Sequence, residues 1–289
     1  MADRFDKIVI LGTGKLFLDC LSYVAQQSLP YEGYETSGKV SKLTRLQAEK
    51  KGIHYEVEEK EKTFQRLLSD KEKILLISAI NPVIIPDSVL NRENIVALNC
   101  HQALLPGYKG RNAECWAIYK GETEAGITWH KMTGKVDGGD ILCIKRLPIT
   151  GESTAYGLFR QQIDAAYDAF TEFMPSVLAG KETYTPQSRE EKTEFHYSWE
   201  IPEQGILDVQ WSGEKISRFL RATDYGVLKV MPYPTVILDG AEYRFKKYQI
   251  CRLAEVQEDF LEADQEKITI IRQNYKFILS RLEIVKNER

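Results

Sequence analysis

The chain has 289 residues, which is enough for one large domain or two ordinary ones. Its 43% hydrophobic and 28% charged residues are typical of a globular protein and exclude collagen, a disordered polymer and a disulfide scaffold. The formal net charge of −3 gives no overall attraction for phosphate backbones or anionic membranes, so a nucleic-acid partner would need a local basic patch.

The cysteines and the first residues bear on the cellular compartment. The five cysteines are an odd number without CxxC spacing, which favours reduced thiols over a disulfide framework or a zinc site, and we expect no metal. The first residues alternate in charge and lead directly into an apolar run, without the pattern of a secretory signal. No apolar run approaches the roughly 20 residues of a membrane span. We therefore expect a cytoplasmic protein with no membrane partner.

The first half of the chain alternates short β-branched runs with helical patterns. Strands are predicted over residues 7–11, 53–57, 74–78 and 95–100. Helices are predicted over residues 16–26, 41–51 and 62–69. This alternation with short connections indicates an α/β fold, in which helices cover a parallel sheet.

The pattern changes after Gly126. Residues 127–132 and 141–147 are predicted as paired strands, and a long amphipathic helix over residues 153–178 stops at Gly180. Residues 189–194 are polar and charge-rich and are predicted as a linker. We place a domain boundary near residue 185, which gives a first domain over 1–185 and a second over 186–289.

The predicted second domain is small and rich in strands. Its patterns predict one helix over residues 213–221 and strands over 235–238, 243–251, 268–272 and 276–282. From residue 190 onward, 15 Lys and Arg stand against 18 Asp and Glu. The second domain is therefore not a basic clamp for nucleic acid.

A glycine pair follows the first predicted strand. Gly12 and Gly14 could open a dinucleotide-binding turn, but the GxGxxG fingerprint needs a third glycine where Phe17 stands. An acidic residue closing a second strand about 20 residues on is also expected, and residues 31–36 show no clear pattern. A tight strand-to-helix turn is the favoured interpretation, and a nicotinamide-dependent oxidoreductase is the alternative.

Stronger chemistry lies at the end of the strand predicted over 95–100. Asn99 and His101 are two residues apart, so they share one face of the strand while Cys100 faces the other. Open α/β sheets bind ligands at such carboxyl ends. An amide and an imidazole there could stabilise an oxyanion and move a proton. On spacing alone, a histidine bonded to a nearby carbonyl is the simpler alternative. Asp137, in a glycine-rich turn, could bring a carboxylate to the same edge.

These residues belong to a longer pattern over residues 98–142. It comprises Asn99, His101, LLP at 104–106, YKG at 108–110, WAI at 116–118, Gly121, GIT at 126–128, Asp137 and GDIL at 139–142. In this order and spacing, the block resembles the folate-dependent formyltransferase family, whose members act on methionyl-tRNA, glycinamide ribonucleotide or amino sugars. The resemblance covers most of the chain to about residue 245 and is weak between residues 28 and 72.

The resemblance implies a Rossmann-like formyltransferase domain followed by a small OB-like domain. It implies that Asn99, His101 and Asp137 are catalytic and that 10-formyltetrahydrofolate is the formyl donor. A neutral primary amine attacks the formyl carbon, Asn99 and protonated His101 stabilise the oxyanion, and Asp137 holds His101 and helps proton transfer. The matching pterin-binding segments supply Pro82, Val83, Ile84, Ile85, Met132, Gly134 and Val136.

The acceptor amine is the open question. Gln102, Ala103 and Lys109 replace the usual Pro, Ser and Arg, and they leave the catalytic residues intact. The acidic balance of the tail argues against tRNA, so a nucleotide-linked amino sugar is favoured. The alternatives are an amino-acid-like amine, methionyl-tRNA, or a folate-binding protein without turnover. A homodimer is compatible with the sequence, and His130 is assigned to the surface or the folate's surroundings as readily as to catalysis.

Overall fold

The computed structural model describes residues 4–37, 41–188 and 193–285, so residues 189–192 of the predicted linker lie outside the described residues. The strands are β1 (Lys7–Gly12), β2 (Tyr31–Glu35), β3 (Glu56–Val57), β4 (Ile74–Ala79), β5 (Ile95–His101), β6 (Tyr108–Gly110), β7 (Glu124–Lys131), β8 (Ile141–Pro148), β9 (Glu194–His196), β10 (Ile206–Leu207), β11 (Thr235–Leu238), β12 (Ala241–Arg252), β13 (Phe260–Ala263), β14 (Lys267–Arg272) and β15 (Tyr275–Ile284). The helices are α1 (Gly14–Val24), α2 (Lys42–Lys51), α3 (Lys60–Ser69), α4 (Asp87–Leu90), α5 (Ala113–Lys120), α6 (Ala155–Leu178) and α7 (Gly213–Ala222).

A seven-stranded sheet carries the first half of the chain, with the strand order β3-β2-β1-β4-β5-β7-β8. The first five of these strands run parallel. β7 runs antiparallel to β5, and β8 lies beside β7. The predicted α/β class, with helices between parallel strands, is thereby confirmed. The pairing predicted for the two strands after Gly126 is confirmed as well.

Burial explains the central strands. Every residue of β1 and β4 is buried, as expected for continuous apolar runs in a parallel sheet that is covered on both faces. Gly12 ends β1 where a Cβ atom would lie 2.0 Å from the carbonyl oxygen of Ala79. The strand ends therefore approach each other at a distance that only glycine allows.

The helices begin and end where local chemistry favours it. Ser41 precedes α2, and its hydroxyl accepts a hydrogen bond from the Thr44 N–H at 3.3 Å. Gly52 ends α2 in the left-handed region, with φ of 66°. Gly121, with φ of 77°, ends α5 in the same way, although sequence patterns did not predict this helix.

Some predicted elements differ from the observed ones. The strand predicted over 53–57 is reduced to the two residues of β3. Residues 31–35, which lack a clear pattern, form β2, because hydrogen bonding to strands on both sides stabilises a polar sequence. None of the helices within the described ranges is long and apolar enough to cross a lipid bilayer.

The chain divides into two compact units, each built from separate stretches. The first comprises Met1–Gly110, Ala125–Leu147 and Arg160–Phe195, and the second comprises Arg111–Glu124, Pro148–Phe159 and His196–Arg289. This division does not follow a single cut in the chain. The predicted boundary near residue 185 stays a prediction about contiguous domains.

The second unit is built around a six-stranded sheet with the order β10-β11-β12-β15-β14-β13. Buried apolar residues of α7, including Ile216 and Phe219, belong to the core cluster of this sheet. Arg221 is 6% exposed and donates hydrogen bonds to the carbonyl oxygens of Thr150 and Ser153. These hydrogen bonds link residues 150–153, which precede α6, to α7 within the second unit. The curled sheet confirms the prediction of a β-rich C-terminal region.

Candidate active site

The end of β5 carries two of the residues assigned to catalysis. Asn99 and His101 both extend from the same face of this strand toward one cluster of polar side chains. The Ser78 hydroxyl, on the neighbouring strand β4, donates to Asn99 Oδ1 at 2.7 Å. Since Oδ1 accepts this bond, the amide nitrogen Nδ2 of Asn99 is left as the donor toward the cluster.

The turn between β7 and β8 brings Asp137 to the same place. Asp137 has a left-handed backbone with φ of 50° and is 8% exposed. A Cβ atom on Gly139 would lie 1.8 Å from the carbonyl oxygen of Lys131, so glycine lets the turn fold closely onto β7. The Gln187 amide donates to the carbonyl oxygens of Asp137 and Gly139, both at 2.8 Å. The position of the carboxylate is therefore well supported.

Asp137 is held in its ionised form. Burial alone would raise its pKa, but the positive charge that the facing His101 ring carries when protonated, the neighbouring His130 and the Gly110 N–H lower the pKa to about 2. The Gly110 N–H donates to Asp137 Oδ2 at 3.0 Å, and His101 Nδ1 lies 3.5 Å from the same oxygen. The carboxylate is thus charged at neutral pH.

The contacts of His101 define its tautomer. Its Nε2 lies 2.6 Å from the carbonyl oxygen of Tyr108, and a carbonyl only accepts, so Nε2 carries the hydrogen. Burial lowers the pKa of His101 below 6.5, even though Asp137 acts in the opposite direction. His101 is therefore neutral at pH 7, with the lone pair of Nδ1 directed to Asp137. The simpler alternative, a histidine bonded to a nearby carbonyl, accounts for the contact of Nε2 with Tyr108 but not for the contact of Nδ1 with Asp137.

His130 joins the other residues of the cluster. It is 2% exposed, so of the alternatives left open by the sequence, a surface position is excluded. Its Nδ1 donates to the Lys131 carbonyl at 2.9 Å, so in the neutral ring Nε2 accepts from Asn99 Nδ2 at 3.1 Å. The same Nε2 lies 3.5 Å from Asp137 Oδ1. The antiparallel register places His130 directly opposite Asn99. Residue alternation along β7 could have suggested the face, but only the register shows the partner.

Cys100 lies apart from this chemistry. Its side chain is 5% exposed, and burial raises the pKa of its thiol far above neutral pH. The alternation along β5 places it opposite the face that carries Asn99 and His101. Cys100 is therefore a packing residue and not a nucleophile.

The two segments assigned to the pterin lie side by side. Ile85 is buried in an apolar cluster against which Met132 packs. Asp87, which follows the first segment, lies close to Gly134 of the second: a Cβ atom on Gly134 would be 2.7 Å from the Asp87 carboxylate. Ile84 and Val136 are 76% and 44% exposed. The two segments thus meet and present two aliphatic side chains to solvent.

The backbone groups of these segments fall into two classes. The Val83 N–H and C=O are both bonded to the Asn81 side chain, the Met132 N–H donates to Ala97, and Pro82 has no N–H. Of the seven residues assigned to the pterin, four have an N–H and a C=O without a hydrogen bond to the described parts of the chain, namely Ile84, Ile85, Gly134 and Val136. These four residues offer backbone donors and acceptors to a ligand.

The glycine turn after β1 is filled by side chains of the chain itself. Glu35 closes β2, so the acidic residue that sequence patterns did not show is present. It is 2% exposed and accepts from the Thr13 hydroxyl at 2.5 Å. The Gly14 N–H donates to the Thr44 hydroxyl at 3.1 Å. The groups that would bind a dinucleotide are therefore already bonded, which disfavours the nicotinamide alternative.

Comparison with known proteins identifies relatives of the whole arrangement. GDP-perosamine N-formyltransferase of Brucella melitensis is 31% identical over 180 residues, which cover 62% of this chain and 66% of that protein. Methionyl-tRNA formyltransferase of Enterococcus faecalis is 28% identical over 266 residues, with 86% of this chain and 80% of that protein covered.

Solved structures show the same fold. The N-formyltransferase from Helicobacter canadensis, in complex with folinic acid and dTDP-3-aminofucose, has a TM-score of 0.70 at 17% identity. The alignment covers 94% of this chain and 98% of that chain. The sequence pattern of formyl transferases matches residues 6–174, which include Asn99, His101 and Asp137. With more than half of its length matched and the fold shared, the chain belongs to the formyl transferase family.

Proposed function

We propose that the chain transfers a formyl group from 10-formyltetrahydrofolate to the primary amine of a nucleotide-linked amino sugar. The observation that carries the proposal is the buried cluster of Asn99, His101, His130 and Asp137, in which a neutral imidazole faces an ionised carboxylate. Such a pair accepts and holds a proton, and the neighbouring amide is a donor for a developing oxyanion.

The two pterin segments fit a folate. Ile84 and Val136 offer aliphatic contacts for a flat ring, and the N–H and C=O groups of Ile84, Ile85, Gly134 and Val136, which have no hydrogen bond to other described residues, offer partners for its polar edge. When bound, the donor supplies an electrophilic formyl carbon. The structure of the Helicobacter canadensis N-formyltransferase contains folinic acid, a folate derivative, which supports the choice of donor.

His101 Nδ1 serves as the proton acceptor in this proposal. The attacking amine must lose a proton when its nitrogen bonds the formyl carbon, and the neutral ring has its free lone pair at Nδ1. The Asp137 carboxylate, 3.5 Å away, stabilises the resulting imidazolium. From His101 the proton can pass to the departing folate nitrogen, so the ring returns to its neutral form.

Asn99 stabilises the negative charge that develops on the formyl oxygen. One hydrogen of its Nδ2 is bound to His130, and the other has no partner among the described residues. Ser78 and His130 fix the amide from two sides, so this second hydrogen is oriented before the reaction. Such preorganisation lowers the barrier because no donor has to turn during the reaction.

A small acceptor is favoured over tRNA. The net charge is −3, and the last hundred residues are acidic on balance, so the chain has no overall attraction for a nucleic acid. One relative of the chain is a GDP-perosamine N-formyltransferase, and another has been solved in complex with dTDP-3-aminofucose. We place the protein in the cytoplasm, where its five free cysteines would stay reduced. We also propose that the protein forms a homodimer, and its sedimentation coefficient tests this.

The experiment is an absorbance assay for tetrahydrofolate release with a panel of amines. The panel contains GDP- and dTDP-linked amino sugars, free amino acids and methionyl-tRNA. We expect release with a nucleotide-linked sugar alone, abolished in His101→Ala and preserved in Cys100→Ala, its neighbour on the opposite face of β5. Release with methionyl-tRNA or an amino acid would contradict the acceptor. Silence with intact folate binding would favour the non-catalytic alternative.

A further inference from the structure

The first pterin segment follows β4 through an unusual turn. Ile80 has a left-handed backbone with φ of 57°, a conformation that β-branched residues rarely adopt. Such conformations persist only where neighbouring contacts hold them. The contacts that hold this turn therefore determine the orientation of residues 82–85, the first pterin segment.

The Asn81 side chain makes these contacts. Its Nδ2 donates to the Val83 carbonyl at 2.9 Å, and its Oδ1 accepts from the Val83 N–H at 3.5 Å. The Oδ1 also accepts from the Thr36 hydroxyl at 3.0 Å, and Thr36 is 1% exposed. One amide thus closes the turn on itself and ties it to the chain directly after β2.

This arrangement has a direct effect on the neighbouring residue. Both polar groups of Val83 are bonded to Asn81, whereas the N–H and C=O of Ile84 and Ile85 have no hydrogen bond to other described residues. Ile85 is buried and anchors the segment, while Ile84 is 76% exposed. The fixed turn therefore holds the exposed Ile84 side chain and the backbone groups of both residues in a single orientation.

We propose that Asn81 is a positioning residue for the formyl donor, because it presets the segment of residues 82–85 that binds the pterin. This inference rests on the proposed function. It assigns no contact between Asn81 and the donor or the reacting atoms. Loss of the Asn81 amide should weaken donor binding, because the segment would have to become ordered when the donor binds.

The test compares Asn81→Ala with Asn94→Ala. Asn94 makes a similar set of bonds, donating to the carbonyls of Asp70 and Glu72 and accepting from Arg92, outside the pterin segments. It is therefore a matched control for the general loss of an amide. Asn81→Asp keeps the acceptor for Thr36, loses the donor to the Val83 carbonyl and places a carboxylate oxygen against that carbonyl, so it opposes this contact directly.

Binding of 5-formyltetrahydrofolate is measured by calorimetry, and the KM of donor and acceptor by tetrahydrofolate release. We expect the Kd and the donor KM of Asn81→Ala to rise about tenfold, with kcat and the acceptor KM within about threefold of wild type. Asn81→Asp should behave like Asn81→Ala, and Asn94→Ala like wild type. Hydrogen exchange over residues 80–86 should accelerate in both Asn81 variants and stay at the wild-type rate in Asn94→Ala.

Two outcomes overturn the inference while the proposed function stands. One is wild-type binding of 5-formyltetrahydrofolate by Asn81→Ala, within about twofold. The other is an equal loss of donor and acceptor affinity in the Asn81 and Asn94 variants, which would indicate general loosening of the fold. If wild type itself does not bind 5-formyltetrahydrofolate, the proposed function fails, and hydrogen exchange still reports whether Asn81 orders the turn.

Discussion

Replacing Asp137 with Asn removes one charge and leaves the shape of the side chain. In the wild-type protein the pKa of Asp137 falls from 3.8 to about 2, because His101, His130 and the Gly110 N–H outweigh the opposing effect of burial. At about 1.4 kcal/mol per pKa unit, the surroundings favour the ionised carboxylate by about 2–3 kcal/mol. Part of this stabilisation is the attraction between the carboxylate and the protonated ring of His101, and Asp137→Asn lacks that attraction.

We expect kcat of Asp137→Asn to fall by about 10²- to 10⁴-fold, because the protonated ring loses its counter-charge. Donor binding should change little, since Asp137 is not assigned to the pterin. The wild-type rate should fall on the acid side with a midpoint below 6.5, because burial lowers the pKa of His101 and only its neutral ring accepts a proton. Without the carboxylate, this midpoint should move to still lower pH.

Stability gives an independent measurement of the same charge. A depressed carboxylate pKa contributes stability that is fully present above the unfolded value near 4 and is lost as the pH falls toward 2. Urea unfolding of wild type and Asp137→Asn should therefore differ by a pH-dependent part of about 2–3 kcal/mol that disappears between pH 5 and pH 2. A pH-independent difference, or kcat within threefold of wild type, would refute the reasoning.

Three further predictions concern single contacts. His101→Ala should lower kcat by about 10²- to 10⁴-fold while the Kd for 5-formyltetrahydrofolate stays within about twofold, and a comparable loss of binding would contradict the assigned role. Gly134→Ala should raise the donor KM, because its Cβ atom would meet the Asp87 carboxylate at 2.7 Å. Adding Asp87→Ala to this variant should restore the wild-type donor KM. If the double variant shows no rescue, a contact other than the one with Asp87 requires the glycine. Tyr225→Phe should lower the free energy of unfolding by about 1–3 kcal/mol in urea, because it removes the 2.7 Å hydrogen bond to the buried Glu114 carboxylate, and a change below 0.5 kcal/mol would show that this bond is not stabilising.

Local patterns were sufficient for the framework of the fold. The sequence predicts β1 and β4 from their continuous apolar runs, which are typical of strands buried on both faces. It predicts α6 from apolar residues at helical spacing, which are typical of a helix buried on one face. Alternation along β5 was enough to place Asn99 and His101 on one face. By contrast, β2 could not be predicted from Tyr31–Glu35, since pairing with two neighbouring strands stabilises it rather than its own residues.

The sequence by itself therefore determined the fold class and, through the ordered motifs of residues 98–142, the family, because both depend on short-range spacing. The resemblance to that family is what assigned Asn99, His101 and Asp137 to catalysis. Only the tertiary structure decided that His130 lies opposite Asn99, that the Gly110 N–H binds Asp137, and that Asn81 closes the turn before Ile84. Each of these contacts joins residues whose separation is set by strand register or loop closure. Register and loop closure follow from packing across the whole sheet, which no local pattern of residues records.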